Sequence, residues 1–343
     1  MSAYRPFVTI AIPTYNSARF IKPTLDSIST QSYENFEVLV VDDGSTDETC
    51  EIIRGHGFDR LRIVSNDRNR GCVYTVARCA ELAEGEILTY LCHDDLFSPI
   101  AVERMVGAFE DPRVGATTRG YYWFQDLDWR RANRVIRPLK LGQDITVTGD
   151  ADYHTIWKVL ETLGQVSGLG FRRAWMTTPF SDDIFTVHIQ AFLGVMREHP
   201  ITYIGDYLVA VRIETSQSRT LRSVYDRSPL ATWDEMFGRV FPGIEYSTLR
   251  RSCRRAMATE NDVGLVQVKC TGGQRALLRE IWVSLKLWPQ NLARPKFLAC
   301  VLLTFVLPPL KLRRFVDWMK NSVGARMAAD ARLAGTTDAP VAG

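Results

Sequence analysis

Seven cysteines are scattered through the 343 residues without one CxxC pair or metal-ligand spacing. That pattern excludes a zinc ribbon and a paired-thiol redox site, and most of the thiols sit in apolar runs where they act as small hydrophobes. A reducing compartment is expected. Arginine-rich arms and aromatic-basic RNA motifs are missing too, and a net charge of +3 with a pI near 8.4 is too mild to argue for nucleic acid. The N-terminus, Met1 to Pro6, has no charged region leading into an apolar one, so no secretory signal is expected and the chain should stay in the cytoplasm. Fourteen uncharged residues, 297–310, are too few to span a bilayer and are broken by Pro308 and Pro309. There is no internal repeat.

What is present is ordinary globular material, 46% hydrophobic and 24% charged, long enough for two domains or one domain with an appendage. Apolar runs of strand length alternate with helical segments. "FVTIAIP" (7–13) precedes a helical stretch over 17–31, "FEVLVVDD" (36–43) one over 46–54, and "LRIVSN" (61–66) one over 71–83. "EILTYLC" (86–92) precedes a helix over 99–109, with Ser98 as its N-cap and Pro99 at its first position. Fully apolar strands alternating with helices imply an α/β fold with a mostly parallel sheet covered on both faces.

In such a sheet ligands bind at the carboxyl ends of the strands. Polar residues collect there: Pro13-Thr14-Tyr15-Asn16, Asp42-Asp43-Gly44-Ser45, Asn66 and Asp94-Asp95. "DDGSTD" also makes a good turn, with Ser45 or Thr46 capping a helix, and Asp95 is equally suited to capping. Together the four strand ends outline an oxygen-rich cleft. Carboxylates without a histidine-cysteine set suit Mg²⁺ or Mn²⁺, which prefer oxygen and bridge to substrate phosphates. A phosphate-containing ligand is expected.

The stretch "VTIAIPTYNSARFIKPTLDSISTQSYENFEVLVVDDGSTDET" resembles the opening of the glycosyltransferase family 2 enzymes. The resemblance continues through "NRGCVYTVARCAELAEGEILTYLCHDD", where Gly71, Gly85 and Asp94-Asp95 keep the family's spacing, and more weakly through residues 168–218. It implies a GT-A fold and inverting transfer of a sugar from a nucleotide diphosphate, with UDP-sugar expected. It places Pro13, Thr14, Tyr15, Asn16, Asp42, Asp43, Asn66 and Gly71 around the donor. Asp94 falls on the sugar or ribose side of the metal-diphosphate pair, and Asp95 carries most of the coordination.

Three departures from the family pattern stand out. A frequent family aspartate is replaced by Cys92, a poor ligand for a hard cation, with His93 expected to be structural. The arginine-asparagine pair that follows the family's glycine is replaced by Val76-Ala77. The acceptor half, where the family usually places a catalytic aspartate, has Val187 or His188 at the corresponding count within "PFSDDIFTVHIQAF". His188, near its reference pKa, is a candidate base, and Asp182 and Asp183 are rivals. The alternative is a solvated turn beside an amphipathic helix.

From Lys269 to Lys320 there are ten Lys or Arg against two acids, interleaved with Trp282, Trp288, Phe297, Phe305, Phe315 and Trp318. Cations and aromatics flanking a short apolar run favour a segment lying on an anionic membrane; the rival is a helix packed on the catalytic domain. The division expected is a donor half (1–115), an acceptor half (116–225) and a helical, membrane-apposed region (226–343), with a disordered tail after Val323. The leading expectation is a peripheral enzyme at the inner face of the cell membrane, extending a glycan or lipid-linked acceptor in polysaccharide or glycoconjugate synthesis. A non-catalytic nucleotide-sugar-binding protein is the alternative. A nucleotidyltransferase would need a glycine-rich, lysine-bearing loop that the opening lacks.

Overall fold

A computed structural model describes residues 4–125, 132–214, 221–328 and 333–336. In chain order the elements are β1 (Val8–Thr14), α1 (Ile21–Ser29), β2 (Phe36–Asp42), α2 (Thr49–Gly55), β3 (Leu61–Ser65), α3 (Cys72–Leu82), β4 (Ile87–Tyr90), β5 (Leu96–Phe97) and α4 (Ala101–Ala108). There follow β6 (Ala116–Phe124), β7 (Ala132–Ile136), β8 (Ile145–Val147), α5 (Tyr153–Thr162), β9 (Gly170–Arg172), α6 (Val187–Glu198) and β10 (Ile201–Arg212). Helices α7 (Pro229–Val240), α8 (Ser247–Glu260), α9 (Gly264–Gln267), α10 (Gln274–Leu287), α11 (Pro295–Val306) and α12 (Pro309–Ala328) complete the chain.

One sheet runs through the molecule in the order β3-β2-β1-β4-β9-β6-β10-β5, with β7 on β6 and β8 on β10. The first four strands are parallel, as the alternation of apolar runs and helices requires; β9 is antiparallel to both β4 and β6, which places β6 beside the first half. β1 is buried along all seven residues. Its Val8, Ile10 and Ile12 meet Ile21 and Leu25 of α1 and Met105 of α4, while Ala11 points to Val76 and Cys79 of α3. Period-two alternation between two helical layers explains why the run carries no polar face. Gly85 permits β4 to join β1: a Cβ there would lie 2.5 Å from Thr9 N and 2.8 Å from Phe7 O.

Several local expectations change. α4 starts at Ala101 with no side-chain cap, and Ser98 instead closes a turn through its carbonyl to Ala101 N, 3.0 Å away. α2 starts at Thr49 without a Ser45 or Thr46 cap. The chain beyond Val323 is not structureless throughout, because α12 continues to Ala328 and Leu333 is buried beside Leu96, Tyr122 and Phe124, where it bridges to Tyr207. Leu333 docks residues 333–336 on this core. The rest of that tail lies outside the described residues.

The C-terminal helices are built into the molecule through their inner faces. Leu265, Leu277 and Phe297 join α9, α10 and α11, and Val266, Leu312 and Val316 join α9 to α12. Arg134 of β7 pairs with Asp317 of α12 at 3.0 Å. Buried Glu280 on α10 accepts from Ser228 Oγ and Leu230 N, 2.5 and 2.9 Å away, and so caps α7 from outside. Among the described residues no helix is long and apolar enough to cross a membrane.

Candidate active site

The carboxyl ends of β1, β2 and β4 open on a cavity of about 960 Å³. Pro13, Thr14 and Tyr15 contribute from β1, Asp43 from β2, Gly71 and Thr75 from the start of α3, and Cys92 to Asp95 from β4. Asp42, Asn16 and Asn66 do not line it; they brace the loops beside it. Asp42 accepts twice from Ser45 N (3.3 and 3.2 Å), and Asn16, at φ +43°, accepts from Thr46 N at 2.8 Å. Asp43 receives Asn66 Nδ2 (2.7 Å), Arg70 N and Gly71 N (both 2.8 Å), fixing the turn into α3. Gly71 has φ +89°, a conformation that costs glycine nothing.

Asp94 and Asp95 have different environments. Asp95 is buried, with Oδ2 accepting from Ser167 Oγ at 2.6 Å and Oδ1 from Arg212 N at 2.8 Å. Burial, and then the neighbouring Asp94 charge, push its carboxyl well above the usual range. Both oxygens of Asp95 accept from protein donors, so it anchors the β4 loop while lining the cavity beside Asp94. Burial, followed by the two aspartate charges, pushes the Cys92 thiol far up. His93 turns Nδ1 toward Pro13 O at 3.2 Å, tying the β4 loop to the β1 loop.

Ser167 and two arginines, none of them singled out by sequence, complete this loop. Ser167 Oγ accepts from Cys92 N at 2.9 Å while donating to Asp95. Arg212, the last residue of β10, lies over the rings of Phe20 and Phe124 at 4.6 and 4.5 Å and donates Nε to Asp94 O at 3.3 Å. Arg119 is fully buried, donates to the carbonyls of Thr162 (3.1 Å), Gln165 (3.0 Å) and Ser167, and stacks on Tyr121. Burial lowers its pKa to about 10, still well above neutral pH. A charge closing the apolar run "YLVAVR" at Arg212 is a signal of the same kind as Asp94 closing its own.

Of the three expected bases only one lines the cavity. His188 is on α6 with Nε2 2.8 Å from Leu163 O, so Nε2 carries the proton and Nδ1 is the basic atom. Burial lowers its pKa from 6.5 to about 4, which corrects the expectation of an imidazole near its reference value and makes it a weak base. Asp183 instead accepts from Phe185 N (2.9 Å) and Thr232 Oγ1 (3.3 Å), and Asp182 is exposed; neither faces the cavity. Glu161 of α5, unmarked in the sequence, does line it, paired with Lys158 at 2.7 Å.

His188 makes stability depend on pH. Between about pH 4 and 6.5 the unfolded chain binds a proton that the native chain does not. Stability is therefore present above 6.5 and lost as pH falls through that window, by about 3 kcal/mol at most. The melting temperature should fall more steeply on acidification in the native chain than in His188→Gln. Equal slopes would show that this imidazole is not buried neutral.

Among the described residues no three His, Cys, Asp or Glu side chains converge as a metal cluster. Mg²⁺-type sites commonly use one or two carboxylates with the substrate's phosphates completing the shell. Asp94, lining the cavity beside the β1 loop, fits that lesser requirement.

A Rossmann-like parallel half continued by a mixed sheet, with carboxylates at the strand ends, defines the GT-A class of glycosyltransferase fold. Residues 9–160 match the family model of Glycosyl transferase family 2. A stretch of 108 residues is 36% identical to an uncharacterized glycosyltransferase of Rickettsia felis; it covers 31% of this chain and only 18% of that relative. Residues 1–349 of S. aureus TarS, in complex with UDP-GlcNAc, share the fold at 15% identity and TM-score 0.52, over 83% of this chain and 91% of that one. The mannosyltransferase PcManGT of Pyrobaculum calidifontis, in complex with GDP-Man and Mn²⁺, does so at 19% identity and TM-score 0.50, over 89% and 87%.

Proposed function

We propose that the chain transfers a glycosyl group from a nucleotide diphosphate sugar, with UDP the leading nucleotide, to a glycan or lipid-linked acceptor. Inversion follows from a single displacement. The reading rests on the convergence of Thr14, Tyr15, Asp43, Gly71 and Asp94 on one cavity of about 960 Å³, which is ample for a nucleotide sugar. TarS with UDP-GlcNAc and PcManGT with GDP-Man and Mn²⁺ support the donor class and a divalent ion. The division into a donor half (1–115), an acceptor half (116–225) and a membrane-apposed helical region stays part of this proposal.

In this reading the β1 and β2 loops hold the base and ribose, and Asp94 holds Mn²⁺ or Mg²⁺. A divalent ion at that place neutralises charge on the departing diphosphate. Ser167, Arg119 and Arg212 keep the β4 loop rigid, so the carboxylate need not reorganise during reaction. Glu161 is the cavity-lining carboxylate on the acceptor side that we assign as the base, with Lys158 Nζ 2.7 Å from it. His188, a weak base, shapes the wall beside it.

The low basicity of His188 and the thiol at Cys92 favour a second reading, a non-catalytic nucleotide-sugar-binding protein. Release of UDP from a panel of UDP-sugars, with and without Mn²⁺, separates the two. Metal-dependent release supports transfer. Tight UDP binding with no release from any donor, acceptors included, would leave only the binding role.

A further inference from the structure

We propose that the outer face of α11 and its junction with α12 is a docking surface for an anionic lipid bilayer. The inference extends the reading of a membrane-proximal acceptor but stands on different residues. α11 is two-sided. Phe297 and Thr304 are buried, whereas Leu298, Leu302, Phe305 and Val306 face solvent, at helical spacing and with no polar side chain among them. Leu302 and Val306 are 63% and 65% exposed, and Leu310, just past the two prolines, is 75% exposed.

Charge selects the occupant. Lys296 stands at one end of the stripe and Lys311 and Arg314 at the other, all exposed. Between residues 274 and 318 the exposed charges are Arg275, Lys286, Lys296, Lys311 and Arg314, with no acid among them. Glu280 of α10 is buried against the start of α7, and Asp317 is paired with Arg134. A second copy of this chain would set cations against cations. An anionic leaflet instead matches the cations with headgroups and the stripe with acyl chains.

At twelve residues, or about 18 Å, α11 is too short to cross and lies in the interface. Its buried Phe297 belongs to the cavity wall. Lipid on the outer face would then sit about one helix diameter, 10 Å, from the cavity. That arrangement presents the acceptor side of the site to the membrane surface.

The test uses the full chain and sedimentation with vesicles of phosphatidylcholine, with and without phosphatidylglycerol. Removal before Lys269 is not informative, because it would also strip Glu280 from α7 and Leu277 from the core. Leu302→Glu with Phe305→Glu should abolish binding. Lys311→Glu with Arg314→Glu should weaken it by more than tenfold, since each engaged cation contributes roughly fivefold. UDP binding, measured separately, should be unchanged in both, so a failure of the donor reading shows itself apart from this one. The proposal is overturned if the native chain stays in the supernatant at low salt, binds neutral vesicles equally well, or buries this face in a dimer. It also falls if either double variant, folded by circular dichroism, binds like the native chain.

Discussion

Asp94→Asn is expected to lower turnover by at least a hundredfold and to remove the metal dependence of UDP binding, with the fold intact. Asp94 lines the cavity at the end of a buried strand, where an amide offers one neutral oxygen in place of a charge. Loss of one well-placed electrostatic partner to a developing anion has effects of about 10²–10³. The neighbouring substitution separates site from scaffold. Asp95→Asn should first lower stability, by about 1–3 kcal/mol, because Ser167 Oγ and Arg212 N both donate to this carboxylate and an amide accepts only one of them through oxygen. Calorimetry with UDP and Mn²⁺, alongside thermal melts, distinguishes these outcomes. Unchanged metal-dependent affinity in Asp94→Asn would remove the assignment, and a melt of Asp95→Asn identical to the native chain would remove the anchor.

Arg119→Met is expected to be the most damaging single change, costing about 3–5 kcal/mol. The guanidinium is fully buried and collects three carbonyls, of Thr162, Gln165 and Ser167, into one fork. Methionine fills much of the volume but leaves those carbonyls without donors in a dry interior. A domain stable by about 5–15 kcal/mol loses a large share of that margin. Arg119→Lys should rescue little, because an ammonium is a point donor and cannot reproduce the planar fork. The effect should spread to the site, since Ser167 holds both Cys92 N and Asp95. Urea unfolding measures it; a loss below about 1 kcal/mol would show that the 162–168 turn is held by something else.

Both predictions concern one loop, and it was only half legible in the sequence. Asp94-Asp95 announced itself as charge ending an apolar strand, and the spacing from Gly71 and Gly85 tied it to a known pattern. How Asp95 is held was not legible. That depends on Ser167 and Arg212, which lie 72 and 117 residues away in the chain. Likewise the count that pointed to His188 found a residue on the cavity wall, but its environment, Leu163 O and full burial, sets the pKa. Asp182 and Asp183 were rival candidates because they are acidic; in space Asp183 closes the turn before α6 and reaches across to α7, and Asp182 is exposed.

By itself the sequence determined the parallel half of the sheet, the end at which its ligands collect, and the cationic, apolar character of the last helices. These are local properties: apolar period, helix length and charge are written in consecutive residues. Tertiary structure decided which side chains reach the cavity, that β9 inserts antiparallel to link the two halves, and that α10–α12 pack by their inner faces while α11 keeps an apolar outer one. The physical reason is that burial, hydrogen-bond partnership and pKa belong to pairs of groups distant in the chain, whose meeting depends on how every layer packs.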